Sequence, residues 1–329
     1  MMKALVYVSP KTLEIHERED LKASGDNNLI RVDAVGICGS DMHAYLGHDE
    51  RRPAPLILGH EAAGQVLSGP MAGKNVTVNP LVTCQMCRYC MERRENLCQS
   101  RQIISMHPRE GAFAQQLVMP KRNLVEVPNG VAIEHAALAE PIAVCWHAAR
   151  VGVGALFRDL AEARCLVQGG GAIGVGSALS LRAMGAKKIT ISELNTVRHG
   201  MLSALGDFRV CDPENAGEDY DIIIDCVGIS HTRKAASMIV APGGVVVHVG
   251  LGDSFEGLDV RRMTLQEVTF IGTYTYTAQD FRDTAQGIFD GIFGALDWIE
   301  ERPLDGGVKA FKDILAGNVA APKIVLRPN

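Results

Sequence analysis

The sequence predicts an α/β protein of two parts: a β-rich domain of short, irregular strands and a doubly wound domain built on a parallel sheet. Three observations predict this. The chain has 329 residues, about two domains at roughly 150 residues each. Up to about residue 140 it is rich in glycine, proline and short apolar runs. From about Leu166 buried strands begin to alternate with helical stretches, the pattern that builds a parallel sheet covered on both faces.

Composition narrows the function classes. With 47% hydrophobic and 22% charged residues, the chain has the profile of an ordinary globular protein that needs no disulfide framework. Its formal net charge of -5 and 5% aromatic content argue against nucleic acid or an anionic membrane as partner. The first twenty residues carry only a five-residue apolar run before turning charged, too short for a signal-peptide core. The longest weakly polar stretch, 166–186, is glycine-rich and holds Gln168 and Arg182, so it reads as strand, loop and helix rather than a membrane span. A cytoplasmic location is expected. The nine cysteines then belong to a reducing compartment, where clustering means metal or catalysis.

In chain order, ALVYV, LIRVDAVGI and NVTVNP are bounded by glycine, proline and asparagine and read as strands of the first domain. CLVQGGGAIGVGSALSLRAMGAKKITISEL reads as a buried strand, a glycine turn, a helix of small residues and a second strand. FRVCD, DIIIDCVG and GGVVVHVGLG continue the sheet. Between FRVCD and DIIIDCVG lie only the residues 213–220, too few for a helical crossover of a dozen or more, so a crossover helix is expected to be missing. The tail offers an amphipathic, helix-like stretch IFDGIFGALDWIEE, a second helix ending near Leu315, and the closing strand KIVLRP.

Three constellations carry chemistry. Cys84, Cys87, Cys90 and Cys98 form a C-x2-C-x2-C-x7-C run in one loop, able to wrap one ion tetrahedrally as structural zinc sites do; an iron–sulfur ligand set is the rival. No proline follows the last cysteine and the flanking MERREN is charged, which favours zinc. Cys38 in GICGSDMH, His60 and Glu61 in LGHEAAG, and Glu140 in LAEPIAV offer a thiolate, an imidazole and two carboxylates, an open mixed site with room for substrate. Gly169, Gly171 and Gly174 in LVQGGGAIG follow a strand, open a helix and precede a strand ending at Glu193. That is the context of a dinucleotide fingerprint: the backbone approaches a pyrophosphate at the helix N-terminus, and the acid bonds a ribose hydroxyl.

These residues resemble the zinc-dependent medium-chain alcohol and polyol dehydrogenases, on the sorbitol and threonine dehydrogenase side. The resemblance rests on CGSD-x-H, GHE-x-x-G, the four-cysteine lobe, EP-x-x-V-x-x-H and the glycine turn, in that order along the whole chain. It implies a GroES-like catalytic domain over 1–143 and 285–329, and a Rossmann domain that binds NAD over 144–284. It also implies two zinc ions per chain. Cys38 and His60 would hold the catalytic zinc with Glu61 or Glu140, while Cys84, Cys87, Cys90 and Cys98 hold the structural one. Ser40 and His43 match the family's proton relay, with Glu61 beside them in the catalytic set. Ile173, Glu193 and Arg198 would flank the adenosine half of the cofactor, and Val227, Val249, Gly250 and Thr273 the ribose and nicotinamide.

The implied reaction is reversible oxidation of a secondary alcohol, in a polyol, sugar acid or hydroxy acid, to a ketone. NAD is favoured over NADP because Glu193 would repel a 2′-phosphate, although Arg198 could accept one. A homodimer or homotetramer is implied, with a small-molecule alcohol or ketone as partner. Arg51, Arg52 and Arg109 read as surface charge or, more sharply, as a clamp for an anionic substrate. The alternatives are a non-catalytic protein binding zinc and dinucleotide, or a zinc-independent reductase on the same fold.

Overall fold

The computed structural model describes all residues, 1–329. The first unit is built on a seven-stranded sheet. Its strands run in the order Leu124–Glu126, Asn75–Val78, Glu61–Ser68, Asn27–Gly36, Lys323–Arg327 and Ile299–Pro303, with Gln116–Pro120 also pairing to Asn27–Gly36. The Asn27–Gly36 strand alternates buried and half-exposed residues until Ala34, and from there every residue is buried. The change marks where it dives under the neighbouring strands toward the candidate site.

The second unit is a six-stranded, all-parallel sheet ordered Arg209–Cys211, Lys188–Ser192, Arg164–Gln168, Tyr220–Asp225, Val240–His248 and Thr269–Gly272. Every residue of Tyr220–Asp225 is buried, as expected of a central parallel strand covered on both faces. One face carries the helices Ala139–Ala155 and Ala172–Ala183 over a core of 31 buried residues. Small residues let these helices approach closely: a Cβ on Gly176 would sit 2.6 Å from the Cys145 sulfur. The opposite face has a core of only seven buried residues. There the crossover between Arg209–Cys211 and Tyr220–Asp225 is a single 3-10 turn, Pro213–Asn215, so the helix is missing where the short spacing said it would be. No helix is long and apolar enough to cross a membrane.

The tail departs from its sequence reading. The helix lies earlier, over Ala278–Phe289, and most of IFDGIFGALDWIEE is irregular until the Ile299–Pro303 strand. Gly291 and Gly294 adopt φ of 73° and 76°, a region that ends a helix and suits glycine. The apolar positions of this loop are buried all the same: Phe293, Leu296 and Trp298 join the core of the parallel-sheet unit. That unit therefore extends past the boundary expected at 284, while Ile299–Pro303 and Lys323–Arg327 return to the first sheet.

Candidate active site and metal centres

Cys38, His60 and Glu61 offer ligand atoms that all lie within 4.8 Å of one another. Cys38 stands at the start of the helix Gly39–Tyr45; His60 and Glu61 stand where the Glu61–Ser68 strand begins. Asp41, wholly buried, ties the two segments together by accepting from the Cys38 N–H at 3.0 Å and the Gly59 N–H at 3.2 Å. Its carboxylate also lies 3.4 Å from His60 Nδ1, in reach to orient the ring. Burial alone would push the His60 imidazole down, but Asp41 and Cys38 hold it well above its usual value. A pocket this anionic attracts positive charge.

Glu61 has one oxygen held and one open. Oε1 accepts from Lys323 Nζ at 2.6 Å, and Oε2 is buried with no hydrogen-bond partner. Lys323, itself buried, also donates to the Ile37 carbonyl at 2.9 Å. Gly36 makes the arrangement possible, since a Cβ there would fall 1.9 Å from Glu61 Oε2. A thiol, an imidazole and an orphaned buried carboxylate oxygen converging on one point are a donor set that fits zinc.

Glu140 lies outside this closest set. It is buried in the first turn of Ala139–Ala155, where Oε1 accepts from the Tyr276 hydroxyl at 2.9 Å. Burial, reinforced by nearby Glu61, raises its carboxyl to about 7. Ser40 and His43 share the helix Gly39–Tyr45 at a spacing of three, which puts them on one face. Cys38 and Asp41 organise the start of that helix.

The second donor set is Cys84, Cys87, Cys90 and Cys98. Three sulfur pairs approach to 3.5–3.9 Å, and the backbone N–H groups of Met86 and Cys87 lower the Cys84 thiol to about 6. Four thiols this close form a closed shell suited to structural zinc. The lobe also braces the other unit: Asn96 donates to the Tyr274 carbonyl at 2.9 Å, and Glu95 accepts from the Ala278 N–H at 3.3 Å. Tyr276, between those contacts, is the residue that reaches Glu140.

The glycine turn lies at the C-terminal end of Arg164–Gln168. Gly169 has φ of 94°, and a Cβ on Gly174 would sit 1.8 Å from the Gly169 carbonyl oxygen. Only glycine fits the close strand–helix approach. Ile173 follows in the first turn of Ala172–Ala183. Glu193 Oε2 accepts from the Gly170 N–H and Oε1 from the Asn195 N–H at 2.5 and 2.7 Å. Arg198 Nη1 is 3.9 Å from Glu193, with its Nε buried and unpartnered. Val227, Val249, Gly250 and Thr273 follow the next three strands at the same end of the sheet. Their loops are tied together: Val249 and Gly250 both donate to the Asp225 carbonyl at 3.0 Å, and Thr273 donates to the His248 carbonyl at 3.1 Å. All ten candidate cofactor residues thus cluster at the carboxyl ends of parallel strands or in the loops beside them, where such sheets bind ligands. The helix Ala139–Ala155 bridges the two regions, with Glu140 in its first turn and the Cys145 thiol 3.2 Å from the Ile173 carbonyl.

The arginine clamp does not form as the sequence suggested. Arg52 is buried and donates to the Ser105 and Ser40 carbonyls and to Asp49, at 2.9, 3.2 and 2.8 Å. Arg51 is paired with the same Asp49 at 2.8 Å, and Arg109 donates to Gln102. Arg52 is thus a brace under Ser40 rather than surface charge. Asp41, Lys323 and Tyr276 carry roles that sequence reasoning missed. Asp41 had a signal in its position three residues after Cys38; the other two are distant in sequence and had none.

Comparison with known proteins finds matches for both units of the chain. Residues 24–129 match the family model described as alcohol dehydrogenase GroES-like domain, and residues 172–289 match zinc-binding dehydrogenase. The chain is 30% identical to L-galactonate-5-dehydrogenase of Escherichia coli, over 88% of each protein. It is 29% identical to (R,R)-butanediol dehydrogenase of Saccharomyces cerevisiae, covering 100% of this chain and 98% of that one. Among solved structures, a putative zinc-binding dehydrogenase from Sinorhizobium meliloti bound to NADP superimposes with a TM-score of 0.87 at 26% identity, over 100% of this chain and 99% of the other.

Proposed function

The chain belongs to the zinc-dependent medium-chain alcohol and polyol dehydrogenase family, and we propose that it oxidises a secondary alcohol of a polyol or sugar acid with NAD, using Cys38, His60 and Glu61 as its catalytic metal donors. The convergence of those three side chains, with one carboxylate oxygen left unpartnered, is the observation that carries this reading. A zinc ion held there supplies Lewis-acid polarisation of the substrate hydroxyl. Asp41 lies 3.4 Å from His60 Nδ1, and Lys323 fixes one oxygen of Glu61. Ser40 would take the hydroxyl proton and His43, on the same helix face, would pass it on to solvent; NAD bound at the glycine turn would supply the hydride acceptor. Glu140, buried and held by Tyr276, would be a further carboxylate available to that ion. Arg51 and Arg52 share the single carboxylate of Asp49, and Arg52 is further spent on backbone carbonyls, so only a weak preference for acid substrates over their neutral polyols is expected.

Both Glu193 oxygens are held by the glycine turn and its neighbour, and a carboxylate in that place repels a 2′-phosphate. This supports NAD over NADP. Glu193→Ala should weaken NAD binding and raise the relative rate with NADP; an unchanged ratio of the two cofactors contradicts the assignment. Thr269–Gly272 ends the parallel sheet with an unpaired edge, which supports a homodimer or homotetramer joined there. A cytoplasmic location is part of the same reading.

The test is initial rates of NADH formation across polyols, sugar acids and hydroxy amino acids, with NAD and NADP in parallel. NAD-dependent turnover of a secondary alcohol is expected. Protein that holds two zinc ions and binds NADH, yet is silent on the panel, would favour the binding-protein alternative.

A further inference from the structure

At the end of the parallel sheet opposite the cofactor loops lies a cavity of about 320 Å³ lined by Arg164, Lys187, Lys188, Asp207, Arg209 and Tyr220, among others. Arg164, Lys188 and Arg209 are the first residues of three adjacent strands. Arg164 is in register with Lys188, and Thr190 with Arg209. In a sheet, register partners and residues two apart share a face, so the three cations project from one face. It is the face of Leu166, the one with the seven-residue core, where the crossover helix is missing. The groove is the space that such a helix would cover.

The charges in this groove are not neutralised by the protein. Arg209 donates to the Ala216 and Asn215 carbonyls, Lys188 donates to the Glu162 carbonyl, and Arg164 lies over the Tyr220 ring. None of the four cations forms an ion pair. Asp221, the nearest buried carboxylate in sequence to Tyr220, is taken by Arg158 at 3.2 Å. Asp221 also accepts from the Arg164 backbone N–H at 2.8 Å, so four cations face two carboxylates, Asp207 and the already engaged Asp221; the excess positive charge is self-repelling, and a bound polyanion relieves that repulsion.

We propose that this groove is an anion site that takes a small molecule bearing a di- or triphosphate, separate from the cofactor pyrophosphate at the glycine turn. Guanidinium and ammonium groups converging from several directions suit phosphate oxygens. The cavity is at the small end of the ~300–1,000 Å³ range for small-molecule sites.

Calorimetric titration of the full chain with inorganic pyrophosphate, at constant ionic strength and with NADH saturating, tests this. NADH blocks the glycine turn, so the remaining binding reports the groove. One pyrophosphate per chain is expected, tighter than monophosphate, together with a rise of roughly 2 °C in Tm. Lys187→Gln with Lys188→Gln removes two exposed cations that support no fold contact beyond one carbonyl, and should weaken binding at least about tenfold. Arg209→Gln should do the same and provides an independent variant. No binding at millimolar pyrophosphate, or equal binding by wild type and the lysine variant, overturns the proposal. Failure of NADH itself to bind would overturn the cofactor reading instead; the lysine variant still tells the two anion sites apart.

Discussion

Lys323 shows how a single residue far along the chain completes the site. Its ammonium and the Glu61 carboxylate are both buried, 2.6 Å apart. Removing one member of such a pair leaves a buried charge and typically costs about 3–5 kcal/mol. Lys323→Met should therefore destabilise the zinc-stripped protein by roughly 3 kcal/mol in denaturant unfolding. The loss should be smaller once zinc is restored, because the ion then faces the abandoned carboxylate. Equal stability of variant and wild type without zinc would contradict this role. The sequence marked Glu61 through its glycine-flanked motif, but Lys323 sat inside a strand of ordinary apolar character. Its partner lies 262 positions away, and no local pattern reports so distant a pairing.

At the level of elements, the clasp between the helices Ala139–Ala155 and Ala278–Phe289 joins the metal region to the nucleotide sheet. Asp280 caps the second helix through Thr277 and accepts from His147 at 2.8 Å and Arg150 at 2.7 Å. Burial opposes its ionisation, but those hydrogen bonds outweigh it and hold the carboxyl well below its usual range. A depressed pKa adds stability above the unfolded-state value, near 3.9, that disappears as pH falls through the folded value. Asp280→Asn should lower Tm at neutral pH and flatten the fall in Tm below about pH 4. A variant that keeps the full acid slope would show that the clasp does not titrate with folding. This element also shows the limit of periodicity. IFDGIFGALDWIEE has helical spacing, yet its two positive-φ glycines impose a loop, and its aromatics are buried by tertiary packing rather than along a helix face. By contrast the missing crossover was legible, because chain length alone forbids a helix there.

The whole molecule sets two regions against each other: a sheet that delivers metal donors and a parallel sheet that delivers the cofactor loops. The glycine turn, the four-cysteine lobe and Glu193 could be read locally, since each belongs to a short run whose chemistry depends on spacing, whereas Cys38, His60 and Glu61 come from separate motifs that the fold brings together. The closing of the structural lobe onto Tyr274 and Ala278, and the hold of Tyr276 on Glu140, could not, since they depend on how the two units face each other. The same holds for Arg52, whose burial beneath Ser40 turned an expected surface charge into a brace.

The role proposed for the Cys38, His60 and Glu61 donor set is NAD-linked alcohol oxidation. It is tested most directly by measuring NADH formation on the best alcohol of the panel as zinc is returned to stripped protein, with Cys38→Ser in parallel. Wild-type turnover should return with zinc, while Cys38→Ser should retain one zinc, in the four-cysteine lobe, and form no NADH. Turnover by the stripped protein, or by Cys38→Ser at the wild-type rate, would contradict it.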